Sequence, residues 1–232
     1  MAIKGFQGTS LLDFPGKIAS LVFFSGCNLT CPFCHNPSLL AEDADLPDLP
    51  LELVVDELAE RQDFIDGVVL TGGEPTLAPE LDVLVRQIHD MGLQVKLDTN
   101  GLAPRVVERM LRENLVDYVA LDLKTAPRRY GELHRGPVSM AALQRTVGLL
   151  LAADVDCEFR TTCVPGFVDV GDIRQIGELI RGAGLWVLQQ FSPQVTLDPG
   201  LADLEPYSEE KLRELASLAA GYVERVELRG LR

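Results

Sequence analysis

The chain has 232 residues, 47% hydrophobic and 24% charged, the balance of a folded globular protein rather than a disordered one. Its 21 basic and 35 acidic residues give a formal charge of −14, which opposes nonspecific binding to nucleic-acid phosphate. The longest apolar runs, 18–24 and 147–153, are too short to cross a bilayer, and the first residues lack a secretory apolar core, so a cytoplasmic protein with no membrane partner is expected.

Along the chain one pattern recurs: a short apolar or β-branched run, a polar loop, then a stretch with helical periodicity. Strands are predicted over 19–25, 67–71, 93–98, 118–123, 155–163 and 185–191, with a weaker seventh over 222–228. Helices are predicted over 51–61, 80–91, 105–114, 140–152, 173–181 and 209–221. In the second of these, Leu81, Leu84, Val85, Ile88 and Met91 fall on one face, and Gly92 is a natural stop. Strand starts recur at roughly thirty-residue intervals, the length of one βα unit, whose crossover makes successive strands parallel. The expected fold is α/β: a partial, open (β/α)6 TIM-like barrel forming a single domain over 1–232, because a full eight-unit barrel takes about 250 residues. The alternative is a flat, doubly wound sheet.

Either architecture gathers ligands at the carboxyl ends of the strands. The residues there are Cys27, then Gly72, Gly73 and Glu74, then Asp98, Thr99 and Asn100, then Asp122 and Lys124, and finally 190–194. The two glycines would let the backbone approach a ligand, and Glu74 beside them would meet a ligand ammonium. A plain strand-to-helix turn is the blander reading of the same residues. Asp122 interrupts an apolar strand, so it needs a metal or an ion pair, with Lys96 or Lys124 the candidates. Arg128, Arg129 and Arg135 form a basic run that is either a solvated face or a docking site for an acidic partner. Trp186 reads as core; His89 and His134 are given no role.

The cysteines are the sharpest signal. There are five, an odd number, and Cys27, Cys31 and Cys34 crowd into one loop, which argues against a disulfide framework. Thiolates select zinc or an iron–sulfur cluster, and by spacing alone the two remain open. Electron-transfer clusters usually have four cysteines, whereas three protein ligands leave one metal position for a substrate. His35 adjoins Cys34 too closely to share a tetrahedral centre with it and reads as a bracing loop residue. Cys157 and Cys163 share a strand face and read as buried small hydrophobes.

The pattern of Cys27, three residues, Cys31, two residues and Cys34, with Phe33 before the last cysteine, resembles the signature of the radical S-adenosylmethionine (radical SAM) enzymes. Cys34-His35-Asn36 is similar to the glycyl-radical-enzyme activases. The segment 9–17 and Phe191-Ser192-Pro193-Gln194 look closest to the anaerobic ribonucleoside-triphosphate reductase activating proteins. The resemblance implies that Cys27, Cys31 and Cys34 hold a 4Fe-4S cluster whose fourth iron takes S-adenosyl-L-methionine. It places Phe33 beside the cofactor, and Gly72, Gly73 and Glu74 at the methionine amino group. It makes Asp98, Thr99 and Asp122 a monovalent-cation site, sends Lys124 to the cofactor's carboxylate or ribose, and puts Arg160 nearby. Gln194 stands where pyruvate formate-lyase activating enzyme has a histidine, a departure that puts that contact in doubt.

The implied reaction is reductive cleavage to a 5′-deoxyadenosyl radical that takes a Cα hydrogen from a glycine of a partner enzyme. The implied partners are an anaerobic ribonucleotide reductase or related glycyl-radical enzyme and a flavodoxin- or ferredoxin-type electron donor. Only 37 residues separate Cys34 from Gly72, and no second cluster motif lies among them or follows, so an open mouth suited to a partner's loop is expected. Two other functions stay open: a radical enzyme acting on a small metabolite, and a noncatalytic zinc or electron-transfer module.

Overall fold

The structure, a computed structural model, describes residues 2–40, 46–134 and 136–231. In chain order it runs β1 (Ile3–Ser10), β2 (Ala19–Phe24), α1 (Leu51–Ala59), β3 (Gly67–Gly72), α2 (Leu81–Asp90), β4 (Gln94–Thr99), α3 (Pro104–Arg112) and β5 (Tyr118–Asp122), then α4 (Met140–Leu151), β6 (Asp156–Cys163), α5 (Val170–Leu179), β7 (Leu185–Gln190), α6 (Glu209–Ala219) and β8 (Arg225–Arg229). The eight strands follow chain order in one sheet. From β2 onward every strand but the last is followed by a helix, which gives the six expected βα units and a closing strand. A doubly wound sheet needs a reversal of strand order, and there is none, so the open βα-repeat architecture holds.

Contacts divide the chain into two compact units. The first comprises Met1–Asn28, Ser38–Thr99 and Arg105–Val119; the second comprises Leu29–Pro37, Asn100–Pro104 and Ala120–Arg232.

In the first unit, β2 and β3 pair in parallel, as do β3 and β4. Their sequences, ASLVFF and GVVLTG, are almost continuously buried, as strands of a covered parallel sheet must be. β1 pairs antiparallel with β2 and was not expected from the sequence. Its IKGFQGTS has two glycines and no apolar run. The partner makes it a strand: the Ser20 hydroxyl donates to the Gly8 carbonyl (2.8 Å), and a Cβ at Gly5 would sit 3.3 Å from the Phe23 side chain. Helix α2 buries Leu81, Leu84, Val85 and Ile88 and ends at Gly92, whose φ of +77° is the left-handed geometry expected of the stop.

In the second unit, β6, β7 and β8 are parallel neighbours. Trp186 is fully buried, and its indole N–H donates to Thr161 Oγ1 at 3.0 Å, so it is core as expected. Helix α5 begins three residues earlier than expected. Asp169 and Asp172 close a reciprocal capping box that adds a turn before the apolar repeat. Strand β8 begins three residues later than expected, because residues 222–224 turn back onto the loop before β7: Gly182 N–H donates to the Tyr222 carbonyl, and Glu224 N–H donates to the Ala183 carbonyl. Cys163 is fully buried, and burial pushes its thiol up to about 12; Cys157 is half-buried with its thiol also raised.

Within the basic run, Arg129 is committed to partners inside the fold. Arg129 donates to Glu132, to the buried Asp172 (2.9 Å) and to the Gly166 carbonyl, so its charge is spent on fixing the start of α5. Arg128 is exposed, and Arg135 lies outside the described residues. Among the described residues no helix is long and apolar enough to cross a membrane.

Candidate active site

In the first unit, β3 and β4 end side by side. Gly72 has a φ of +117°, and a Cβ there would lie 2.4 Å from the Phe24 carbonyl oxygen. A Cβ at Gly73 would lie 2.0 Å from the Gly26 carbonyl oxygen. The backbone that approaches these glycines is therefore the chain's own, at the end of β2. Two hydrogen bonds lock it there: Gly73 N–H donates to the Phe24 carbonyl and Glu74 N–H to the Gly26 carbonyl, each at 2.8 Å. Both glycines thus position the start of the cysteine loop.

Glu74 is fully buried. Its Oε1 accepts from Thr76 Oγ1 (2.5 Å), Thr76 N–H (3.2 Å) and Thr99 Oγ1 (2.7 Å). The carboxylate so joins the end of β3 to the end of β4, and Glu74 and Thr99 are brought together as the sequence suggested. Asp98 accepts from Lys96 Nζ (2.5 Å) and, less closely, from Thr71 Oγ1 (3.3 Å). Lys96 was considered as a partner for Asp122; its partner is Asp98, which stands two residues away on the same strand face.

In the second unit, the segment Leu29–Pro37 is tied down at several points. Thr30 N–H donates to the Leu133 carbonyl (3.1 Å), and Asp198 N–H donates to the Pro32 carbonyl (2.8 Å). Phe33 is buried edge-on against Phe167, with ring centroids 5.2 Å apart. Cys34 N–H donates to the Cys31 carbonyl (3.0 Å), so one tight turn carries both thiols. His35 stacks on Phe191 at 6.3 Å. Burial lowers its pKa, and the positive charge of Lys124 acts in the same direction.

Asp122 ends β5 and accepts from Lys124 Nζ on one oxygen (2.9 Å) and from Arg160 Nε on the other (2.8 Å). Burial alone would raise its pKa, but the guanidinium and the ammonium outweigh it and hold the carboxyl well below its ordinary range. Burial would likewise lower Lys124; Asp122 and then the negative charge of Cys31 reverse this and keep the ammonium charged. Lys124 thus stands in the electrostatic reach of a cluster-motif cysteine.

Tyr130, Glu158 and Arg229 escaped the sequence reading. Tyr130 is buried, and its hydroxyl oxygen accepts from the Lys124 backbone N–H (3.1 Å); nothing in its local sequence signals this. Buried Glu158 accepts two hydrogen bonds from Arg229 and lies 3.9 Å from Arg160. Alternation along β6 puts Glu158 and Arg160 on one face, but Arg229 comes from 71 residues on. Gln194 is exposed.

The depressed Asp122 carboxyl has a testable consequence. Its folded value lies below the ordinary unfolded value of about 3.9, so its stabilisation is complete above that pH and is lost as pH falls through the folded value. In guanidinium titrations, the stability gap between the wild type and Asp122→Asn is expected to stay constant from about pH 7 to pH 5 and to narrow only below about pH 4. A gap that closed by pH 6 would mean that the carboxylate has no such role.

The donor set fits an iron–sulfur cluster. It is three thiols on one loop, with Cys27 and Cys34 partly accessible and Cys31 buried beside a fixed cation. Among the described residues no three His, Cys, Asp or Glu side chains are set for a single metal ion.

A family model for the radical SAM superfamily matches residues 21–180. The chain belongs to the radical SAM superfamily. Membership implies a 4Fe-4S cluster and S-adenosylmethionine. A Methanocaldococcus jannaschii protein provisionally named as a glycyl-radical enzyme activating enzyme is 32% identical over 98% of this chain and 95% of its own length. Pyruvate formate-lyase 1-activating enzyme of Escherichia coli is 29% identical over 78% of this chain and 76% of its own. The 7-carboxy-7-deazaguanine synthase of Hyperthermus butylicus is 40% identical over a shorter stretch, 39% of this radical SAM chain and 38% of its own. Among solved structures, Streptococcus suis SuiB bound to S-adenosylmethionine superposes with a TM-score of 0.67 at 18% identity, covering 91% of this chain and 52% of that protein. This likeness is one of fold.

Proposed function

We propose that this radical SAM enzyme is a glycyl-radical-enzyme activase acting on an anaerobic ribonucleoside-triphosphate reductase. The observation that carries the reading is the end-to-end match to the M. jannaschii protein, which leaves no large part of either chain unaccounted for. The E. coli relative and Cys34-His35-Asn36 support the same class, and residues 9–17 with Phe191-Ser192-Pro193-Gln194 support the reductase as target.

In this reading residues 1–232 work as one cytoplasmic radical SAM domain, and Cys27, Cys31 and Cys34 hold the cluster. Once bound and reduced by a flavodoxin- or ferredoxin-type donor, the cluster would supply the one-electron reduction of S-adenosylmethionine that hydrogen abstraction from a glycine Cα requires. The chain's own work is orientation. Lys124 offers its ammonium to the cofactor's carboxylate or ribose, while Asp122, Arg160 and Tyr130 fix its place. Glu74 and Thr99 brace the strand ends that receive the methionine amino group. Phe33 holds the cysteine loop against Phe167.

The second reading, a radical enzyme for a small metabolite, is favoured by the H. butylicus relative, but over only 39% of the chain. Electron paramagnetic resonance separates the two. The reduced, iron-loaded protein is mixed anaerobically with S-adenosylmethionine and candidate reductases, and a glycyl doublet is expected. Abundant 5′-deoxyadenosine with no doublet from any candidate would replace the activase by the small-metabolite reading; intact S-adenosylmethionine would overturn both.

A further inference from the structure

The monovalent-cation site implied for Asp98, Thr99 and Asp122 does not fit this chain. Lys96 is 1% exposed, and its ammonium lies 2.5 Å from Asp98 Oδ1 and 5.8 Å from the centroid of the Tyr118 ring. A fully buried lysine needs a carboxylate partner, and the aromatic face adds a second favourable contact. The other Asp98 oxygen accepts from Thr71. A metal monocation on the same carboxylate would stand a few ångströms from a fixed positive charge, in a setting that screens the repulsion poorly. In the second unit, Asp122 already faces two protein cations, one on each oxygen.

We infer that Lys96 is the resident cation of Asp98, a positioning residue that makes cofactor binding independent of added sodium or potassium. The inference rests on reading Asp98 and Thr99 as part of the cofactor site. Residue spacing carries it as well as geometry: Lys96 and Asp98 share a strand face, so the ammonium is delivered to the carboxylate by β4 itself.

The test compares potassium, sodium and choline chlorides at one ionic strength. Two quantities are read: S-adenosylmethionine affinity of the iron-loaded protein by equilibrium dialysis, and the thermal midpoint of the metal-free chain. For the wild type both are expected to be the same in all three salts. For Lys96→Met, affinity in choline is expected to fall about tenfold or more and to be largely restored by sodium or potassium, with a parallel rise in midpoint. A wild type whose affinity or midpoint depends on sodium or potassium over choline overturns the inference. So does a folded Lys96→Met that ignores the cation. If Lys96→Met does not fold, the wild-type comparison decides alone: independence supports the inference and dependence overturns it. Failure to bind S-adenosylmethionine in every salt would instead refute the cofactor-site reading, while the midpoints would still report on Lys96.

Discussion

Replacing Gly73 with alanine is expected to cost at least about 3 kcal/mol of stability, a large share of the roughly 5–15 kcal/mol that holds a domain together. The added Cβ would meet the Gly26 carbonyl oxygen at 2.0 Å, a backbone atom that no rotamer change can move aside. Relief requires pulling the end of β3 away from the end of β2, which breaks the hydrogen bonds from Gly73 and Glu74. The midpoint of thermal unfolding should fall by roughly 6–12 °C for a chain of this size. Gly148→Ala is the matched control. That glycine is exposed within α4, and a Cβ there meets nothing within 4 Å, so the change should stabilise by about 0.5–1 kcal/mol. A Gly73→Ala protein with a wild-type midpoint and only weakened S-adenosylmethionine binding would restore the reading in which the glycines open space for a ligand.

That contrast shows where sequence reading stops. The βα repeat was legible because burial on both faces forces the strands into apolar runs and the helices into a regular period, both local properties. β1 was not legible, because its strand state comes from β2 rather than from its own residues. The cysteine loop announced a metal site through residue type, and only its resemblance to the radical SAM signature separated an iron–sulfur cluster from zinc. The Glu74 bond to Thr76 is a local turn contact two residues on, whereas Thr99 reaches Glu74 only because β3 and β4 pair. The Asp122 pair with Lys124 could be read from two-residue alternation; the Lys96 pair with Asp98 has the same spacing, but two lysines, Lys96 and Lys124, stood as candidates for the one carboxylate of Asp122. Arg229 lies beyond any local rule, since it reaches Glu158 from 71 residues on, and Tyr130 folds back onto the Lys124 backbone across one loop with no residue pattern that marks it.

Alanine at Cys27, Cys31 or Cys34 is expected to abolish turnover, and alanine at Cys157 or Cys163 to leave it intact. A metal ligand must be a thiolate, and burial raises the thiols of Cys157 and Cys163 against forming one. Cys163, at about 12, is ionised in only about one molecule in 10⁵ at pH 7, and it is sealed from solvent. Cys31 shares a turn with Cys34 and lies within the field of Lys124. After anaerobic iron–sulfur reconstitution, each of the three loop variants should show iron and 5′-deoxyadenosine at background, while Cys157→Ala and Cys163→Ala retain wild-type iron and product. Far-ultraviolet circular dichroism keeps the outcome readable, because a loop variant that is folded but iron-free isolates the lost ligand from lost structure. Full iron and full product in any one loop variant would mean that two thiolates suffice, and the assignment of a three-cysteine cluster would fall with it.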